Sequence, residues 1–384
     1  MARRMVNLAL AAWTAAVAAV WLTTQNARGS SSGSSSATSV LPCDAIAAWV
    51  PPHVDSEDEF RLVAIGDLHG DADALRAVLA AAGLIDDAGS CVFRGNEATV
   101  VVQMGDVVDR GPESEAASEC LRTLQSTAPR GKNNVVRLAG NHELMWAAFD
   151  FRFAAPSETP DVRARAIAAF LREAREGTVR AAYAVGPYLF THAGFRPAMY
   201  DRVKASLEDD DDDLSGDTAA AAATTVGPVK DASSVASALA RHANAEFDRA
   251  VSACEAPPCA LDGDLFSAGP DRGGRGVGGV FWTDFGVLSA APLGGLPAGG
   301  VVQVVGHSAA RCSATRTAAC EPIRARADLA AVVVDAGLSV AYAANRAYLE
   351  VSRGRVVAWE MVGPRGEWRE RDLTAQYCGG GSLR

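Results

Sequence analysis

The sequence predicts an α/β domain built on a largely parallel or mixed β-sheet, with a second sheet packed against it. Three observations carry this. Apolar runs are followed repeatedly by a glycine, a polar turn and a helix-spaced segment; the chemistry-bearing residues fall directly after those runs; and the C-terminal part is a series of short strand-like segments. Phe60 to Ile65 stops at Gly66, and 72–83 carries Leu75, Val78 and Leu79 at helical spacing. Thr99 to Met104 stops at Gly105, and Ser114 to Leu124 reads as helix after the turn Arg110-Gly111-Pro112. Asn134 to Ala139 is a third strand ending at Gly140. A charged, alanine-rich helix over 161–176 leads through Gly186-Pro187 into the strand Tyr188 to Thr191, and Val301 to Val305 delivers Gly306-His307. Ala331 to Val334, Leu338 to Ala343, Ala347 to Val351 and Val356 to Met361 read as consecutive strands forming the second sheet. In such folds ligands gather at the carboxyl edge of the strands.

The chain of 384 residues, 49% hydrophobic, has room for one large catalytic domain, assigned to 56–384. Its net charge of −10 argues against nucleic acid as the main partner. Much of that charge is local, in the run Glu208 to Asp213, inside an acidic, Ala/Thr/Ser-rich stretch (205–238) that reads as a disordered insertion. The glycine-rich piece 269–279 lacks nucleotide-loop spacing and reads as a mobile loop bordering the site.

Residues 1–27, with Arg3 and Arg4 ahead of an apolar stretch at 5–22, read as a signal peptide, signal anchor or targeting segment. The expected address is the secretory pathway or a membrane anchored through 5–22, with import into a chloroplast or mitochondrion as the alternative. Residues 28–55, rich in Ser and Gly at their start, read as a flexible linker. Eight cysteines are compatible with some disulfides, and the close pairs Cys254/Cys259 and Cys312/Cys320 are plausible staples.

The chemistry sits in Gly66-Asp67-Leu68-His69-Gly70, Gly105-Asp106-Val107-Val108-Asp109-Arg110-Gly111, Gly140-Asn141-His142-Glu143, His192 and His307. A two-metal hydrolase needs oxygen and imidazole ligands, a shared carboxylate, and a water between the ions acidic enough to ionise near neutral pH. Asp67 and His69, two apart in a post-strand turn, can hold one ion. Asp106, at the same position after its strand, is the natural bridge. Asn141, His192 and His307 complete the second ion. His142 is the candidate general acid, with Asp109 to orient it, Arg110 can grip phosphate oxygens through its fork, and Glu143 braces the loop. Each motif alone is as readily a capped turn or an ordinary histidine; their conjunction, in one order and each after an apolar run, is what points to chemistry.

GDLHG, GDVVDRG and GNHE resemble the phosphoprotein phosphatase branch of the calcineurin-like metallophosphoesterases, over roughly Phe60 to Met361. The context Asp109-Arg110-Gly111-Pro112 and Asn141-His142-Glu143-Leu144-Met145, followed by Asp150-Phe151-Arg152, is similar to the Shewanella-like protein phosphatases. That resemblance implies a four-layer sandwich of two mixed β-sheets flanked by helices, two divalent or trivalent metal ions of Mn, Fe or Zn type, and hydrolysis of phosphomonoesters on a phosphoprotein or phosphopeptide. It assigns Asp67, His69, Asp106, Asn141, His192 and His307 as ligands and His142 with Asp109 as the acid pair. A second phosphate-binding arginine is expected near the tryptophan-bearing segment, but Trp282-Thr283-Asp284 lacks one, which leaves Arg272, Arg275 and Arg196 as candidates. A diadenosine tetraphosphatase-like hydrolase and a membrane-tethered non-catalytic binding module are the alternatives.

Overall fold

The computed structural model describes residues 40–51, 59–209, 231–310, 321–362 and 366–379. The targeting segment at 1–27, the start of the linker, the centre of the acidic insertion, Cys312 and Cys320 lie outside the described residues. Among the described residues no helix is long and apolar enough to cross a membrane.

Helix α1 (Pro42–Ala48) begins with proline at its first turn, where a missing N–H costs nothing. It falls within the stretch read as linker. It is fixed to the domain instead, by the Cys43–Cys378 disulfide, by buried Ile46, and by Trp49, whose ring meets Phe60 and Tyr188 edge-on at 5.4 and 5.5 Å. Composition alone hid this, because one tryptophan and one cysteine outweigh a polar neighbourhood.

Strands β1 (Arg61–Ile65), β2 (Thr99–Gln103), β3 (Val135–Leu138) and β4 (Val179–Arg180) run parallel. Between them lie α2 (Ala72–Ala81), capped by Asp71, α3 (Ser114–Thr127), the short α4 (Asn141–Ala147), and α5 (Pro160–Arg175), capped by Thr159. Strands β5 (Ala182–Val185), β6 (Tyr188–Thr191), β7 (Val302–Val305), β8 (Arg324–Ala325) and β9 (Ala331–Val333) form the second sheet, in the order β5-β6-β7-β9-β8 with β6, β7 and β9 parallel. Strands β10 (Ala347–Ser352), β11 (Arg355–Val362) and β12 (Glu367–Asp372) return to the first sheet, giving β12-β11-β10-β1-β2-β3-β4.

This corrects the expectation for the C-terminal segments. Of the four expected strands, 331–333 belongs to the second sheet, the two later ones pair antiparallel onto the free edge of β1, and 338–343 is a loop. That loop cannot be a strand because its polar groups are spent on the strand ends: the Ser339 hydroxyl donates to the His69 carbonyl and the Val340 N–H to the Asp71 carboxylate.

Tyr188, Phe190, Val302, Val304 and Val332 of the second sheet share a core with Leu62, Val101, Val136, Leu349 and Ala358 of the first, so the two sheets are stacked face to face. The other face of the second sheet is covered by α7 (Ala232–Ala253), whose Val235, Leu239, Ala243, Phe247 and Val251 recur at helical spacing, and α5 packs beside it against β4 of the first sheet. The insertion is therefore narrower than read: α6 (Pro197–Asp209) precedes it and Asp231 caps α7 after it. The glycine-rich piece at 269–279 is a set of hydrogen-bonded turns and not a free loop; Arg196 lies so close that a Cβ at Gly269 or Gly278 would meet its Nη1 at 2.3 or 2.5 Å. Two short helices, α8 (Phe285–Ala290) and α9 (Leu373–Cys378), complete the described residues.

Candidate metal centre

Asp67 and His69 follow β1, Asp106 follows β2, Asn141 follows β3, His192 follows β6 and His307 follows β7, so two parallel sets of strands deliver them to one edge. The turns are tight enough to need unusual backbone. His69, Asp106, Asp109, Arg110 and His307 all adopt positive φ (44°, 51°, 73°, 68° and 64°), a cost that packing must hold in place. Glycine is required where strand ends touch: a Cβ at Gly140 would lie 2.1 Å from Asp106 Oδ1, and one at Gly306 2.4 Å from Asp67 Oδ1.

Asp106 is the hub. Its Oδ1 accepts the His142 backbone N–H at 2.9 Å, while Oδ2 faces His192 Nε2 at 3.4 Å, His69 Nε2 at 3.7 Å and His142 Nε2 at 3.8 Å. His69 and His192 turn their Nδ1 atoms to the Val108 and Met104 carbonyls, at 3.2 and 2.8 Å, which leaves each Nε2 free as a donor to a cation. Asn141 Oδ1 lies 2.9 Å from both His192 Nε2 and His307 Nδ1, which are 3.2 Å from each other. With His192 Nδ1–H committed to Met104, one proton cannot satisfy three mutually close lone-pair atoms, whereas a cation among them satisfies all. The donor set therefore fits a metal. Two groupings of metal-binding side chains result, His69–Asp106–His142 and Asp106–His192–His307, sharing Asp106.

The electrostatics agree for His69 and His307, whereas at His192 burial is outweighed by Asp106, which raises the pKa. Burial pushes His69 down to about 3 and His307 well below its usual range, so both are neutral, as a ligand must be. Burial opposes ionisation of Asp106, but His192, His142 and His69 outweigh it and hold the carboxyl well below its ordinary value. Asp67 goes the other way: burial, then the carboxylates of Asp335 and Asp106, raise it well above. Its oxygens accept the His307 backbone N–H at 3.0 and 3.1 Å, and Oδ2 stands 3.9 Å from His69 Nε2. Carboxylates crowded this way call for added positive charge.

Glu143 is the brace foreseen from sequence. Its carboxylate accepts the N–H groups of Gly140, Asp106, Val107 and Val108 at 2.8, 2.9, 2.8 and 3.2 Å, fastening two ligand-bearing turns together.

Residues 60–249 match the calcineurin-like phosphoesterase family. The most similar curated relatives include Shewanella-like protein phosphatase 2 of Arabidopsis thaliana, 45% identical over 93 residues (24% of this chain, 23% of that one), and Shewanella-like protein phosphatase 1 of Plasmodium berghei, 32% identical over 98 residues (26% of each). The matched segments span about a quarter of those relatives' length. Among solved structures, a cold-active protein-tyrosine phosphatase of a psychrophilic Shewanella species superposes with a TM-score of 0.51 at 16% identity, covering 82% of this chain and 80% of that one. At that identity the likeness speaks for the fold alone, and the fold is the metallophosphoesterase sandwich.

The candidate site extends beyond the residues around Asp106. His142 Nδ1 is 2.5 Å from Asp109 Oδ2, and the Trp146 indole N–H donates to Asp109 Oδ1, also at 2.5 Å. Arg110 Nη2 is 3.0 Å from His142 Nε2, Nη1 donates to the Tyr342 hydroxyl, and the guanidinium lies 4.9 and 5.0 Å from the Phe153 and Tyr342 rings. Its Nε has no partner. Of the three candidates for a second arginine, Arg196 is bound to Asp271 at 2.5 Å and Arg275 is exposed. Arg272 reaches the Ser308 hydroxyl at 3.3 Å beside His307, pairs with Asp284 at 2.8 Å, and keeps an unpartnered Nε.

Sequence reasoning missed Trp146, Phe153, Tyr342 and Asp335. Asp335 alone carried a local signal, since it ends the apolar run Ala331 to Val334 as Asp67 and Asp106 end theirs.

Proposed function

We propose that this chain is a metal-dependent phosphoprotein phosphatase, and that the clustering of His69, His142 and His192 about Asp106 Oδ2, beside Arg110, carries the reading. Asp67, His69, Asp106, Asn141, His192 and His307 would hold two ions of Mn, Fe or Zn type, with Asp106 shared. When bound, such ions supply positive charge to the phosphoryl oxygens and lower the pKa of water.

The chain's own residues do the rest. Arg110 is held by two aromatic faces, and its fork suits two equatorial phosphate oxygens, where charge grows in the transition state. Arg272 suits a third oxygen. His142, its Nδ1 fixed by Asp109, presents Nε2 toward Arg110 and the centre of the site, where it accepts from the guanidinium; once protonated at Nε2, it can pass that proton to the leaving oxygen. Glu143 keeps the two turns in register while charge redistributes.

Metal analysis of the purified protein, together with turnover of a phosphotyrosine peptide, a phosphoserine peptide and diadenosine tetraphosphate, tests the reading. We expect about two metals per chain and turnover of at least one phosphopeptide; activity confined to the dinucleotide overturns it. We also assign the protein to the secretory pathway or a membrane anchor, with an organelle as alternative. The pairing of Cys43 with Cys378, Cys91 with Cys120 and Cys254 with Cys259 supports an oxidising compartment.

A further inference from the structure

Beyond Gly111 the catalytic turn becomes the wall of a groove of about 380 Å³, lined by Pro112, Glu113, Glu115 and Glu119 on one side and Glu158 and Val162 on the other. Four carboxylates line it, and two are answered. Arg165 meets both oxygens of Glu115 at 3.1 Å and Arg122 meets Glu119 at 3.3 Å, all on exposed side chains or at the rim. Exposed pairs of this kind exchange readily with solvent and with competing ions. Among the described residues the Glu113 carboxylate accepts only the Ala72 N–H, at 3.2 Å, and meets no cation.

Glu158 is the anomaly. It is 4% exposed, yet neither of its carboxylate oxygens has an aligned hydrogen bond, and neither has the nearby Ser114 hydroxyl. Burial pushes its pKa up, Ser114 pulls it back, and Asp109 of the catalytic pair adds a further push. A carboxylate buried with no aligned hydrogen bond and no cation among the described residues is costly, so this position is incomplete as it stands. A bound metal does not complete it: among the described residues, the groupings of three donors able to hold an ion fall only at the centre around Asp106. A groove of this volume with dispersed carboxylates suits instead a long organic cation, whose apolar stem lies along Pro112 and Val162 while its head meets the acids.

We propose that this groove is a subsite for an arginine or lysine side chain flanking the phosphorylated residue of the peptide substrate. The inference rests on the phosphoprotein phosphatase reading and deepens it. Pro112 is two residues from Arg110, about 7 Å at most between Cα atoms, and an extended peptide advances about 3.4 Å per residue, which places the basic residue roughly two to four positions from the phosphate.

The test compares phosphopeptides carrying one arginine, scanned from two to four positions on either side, with counterparts carrying uncharged citrulline there. The metal-loaded full chain should show about a fivefold higher kcat/KM for arginine at one position. Glu158→Gln should erase that preference while leaving p-nitrophenyl phosphate turnover unchanged and the melting temperature no lower. Should E158Q fold poorly, Glu115→Lys on the exposed rim must lower the preference in the same way. Equal turnover of every arginine and citrulline pair overturns the inference, as does a preference that survives both substitutions. If the metal-loaded protein hydrolyses no phosphate ester, the phosphatase reading fails separately. Calorimetric binding of the unphosphorylated arginine and citrulline peptides then decides the groove, with equal binding overturning it.

Discussion

The Trp146 indole N–H and the His142 imidazole hold opposite oxygens of one buried carboxylate, Asp109, each at 2.5 Å. Asp109 is fully enclosed, so the indole fixes the angle at which the carboxylate meets His142. Trp146→Phe keeps most of the packing and strands one Asp109 oxygen. We expect a fall in kcat of about tenfold, with KM and metal content nearly unchanged, and a stability loss of about 1–3 kcal/mol. Steady-state kinetics beside metal analysis would show it, and an unaltered kcat would leave Trp146 with packing alone.

Asp106→Asn removes the shared charge but keeps the shape. Metal content should drop, and turnover should fall at least about a thousandfold, while circular dichroism stays native. Retained activity would remove Asp106 from the bridging role.

Arg110 is held by the rings of Phe153 and Tyr342. Tyr342→Phe keeps the ring and loses the hydroxyl that Arg110 engages, so it should change KM only about two- to fivefold, whereas Arg110→Ala should raise KM or lower kcat by more than about tenfold. Equal effects of the two substitutions would mean that the hydroxyl, and not the guanidinium, meets the substrate.

Chelation should lower the melting temperature. Metal at a hundred times its dissociation constant contributes about 2.7 kcal/mol, which corresponds to about 4 °C for a domain of this size. His307→Ala should shrink that difference in scanning calorimetry.

Acid should unfasten the buried Arg122–Glu173–Arg137 group. Burial opposes the charge on Glu173, but Arg137 and Arg122 outweigh it and hold its pKa below the usual 4.5. A depressed carboxyl contributes stability that is present above the unfolded pKa and is lost as pH falls through the folded one. Glu173→Gln should therefore be less stable than the parent near neutrality, by about 3 kcal/mol, and the gap should close as pH drops below 4.5. Urea melts at stepped pH measure it; a gap independent of pH would falsify the assignment.

What could be read ahead of the structure was whatever chemistry and local pattern share. Asp67, Asp106, Asn141, His192 and His307 each stand just beyond an apolar run, and the structure brings them to one strand edge. Trp146, Tyr342 and Glu158 could not be found that way, because their meaning is tertiary: Tyr342 reaches Arg110 across 232 residues. The hairpin of β10 and β11 was legible as strands, but not as partners of β1, since alternation does not say which sheet has an open edge. His142 was read as an acid, and its Nε2 also lies 3.8 Å from Asp106, within the grouping His69–Asp106–His142 that could hold an ion.

The bond between Cys43 and Cys378 joins residues 335 positions apart and closes the chain between them into a covalent ring. A single protease cut inside that ring opens it without releasing a fragment. Such nicked molecules keep their mass on a non-reducing gel and separate into two pieces only when a thiol is added.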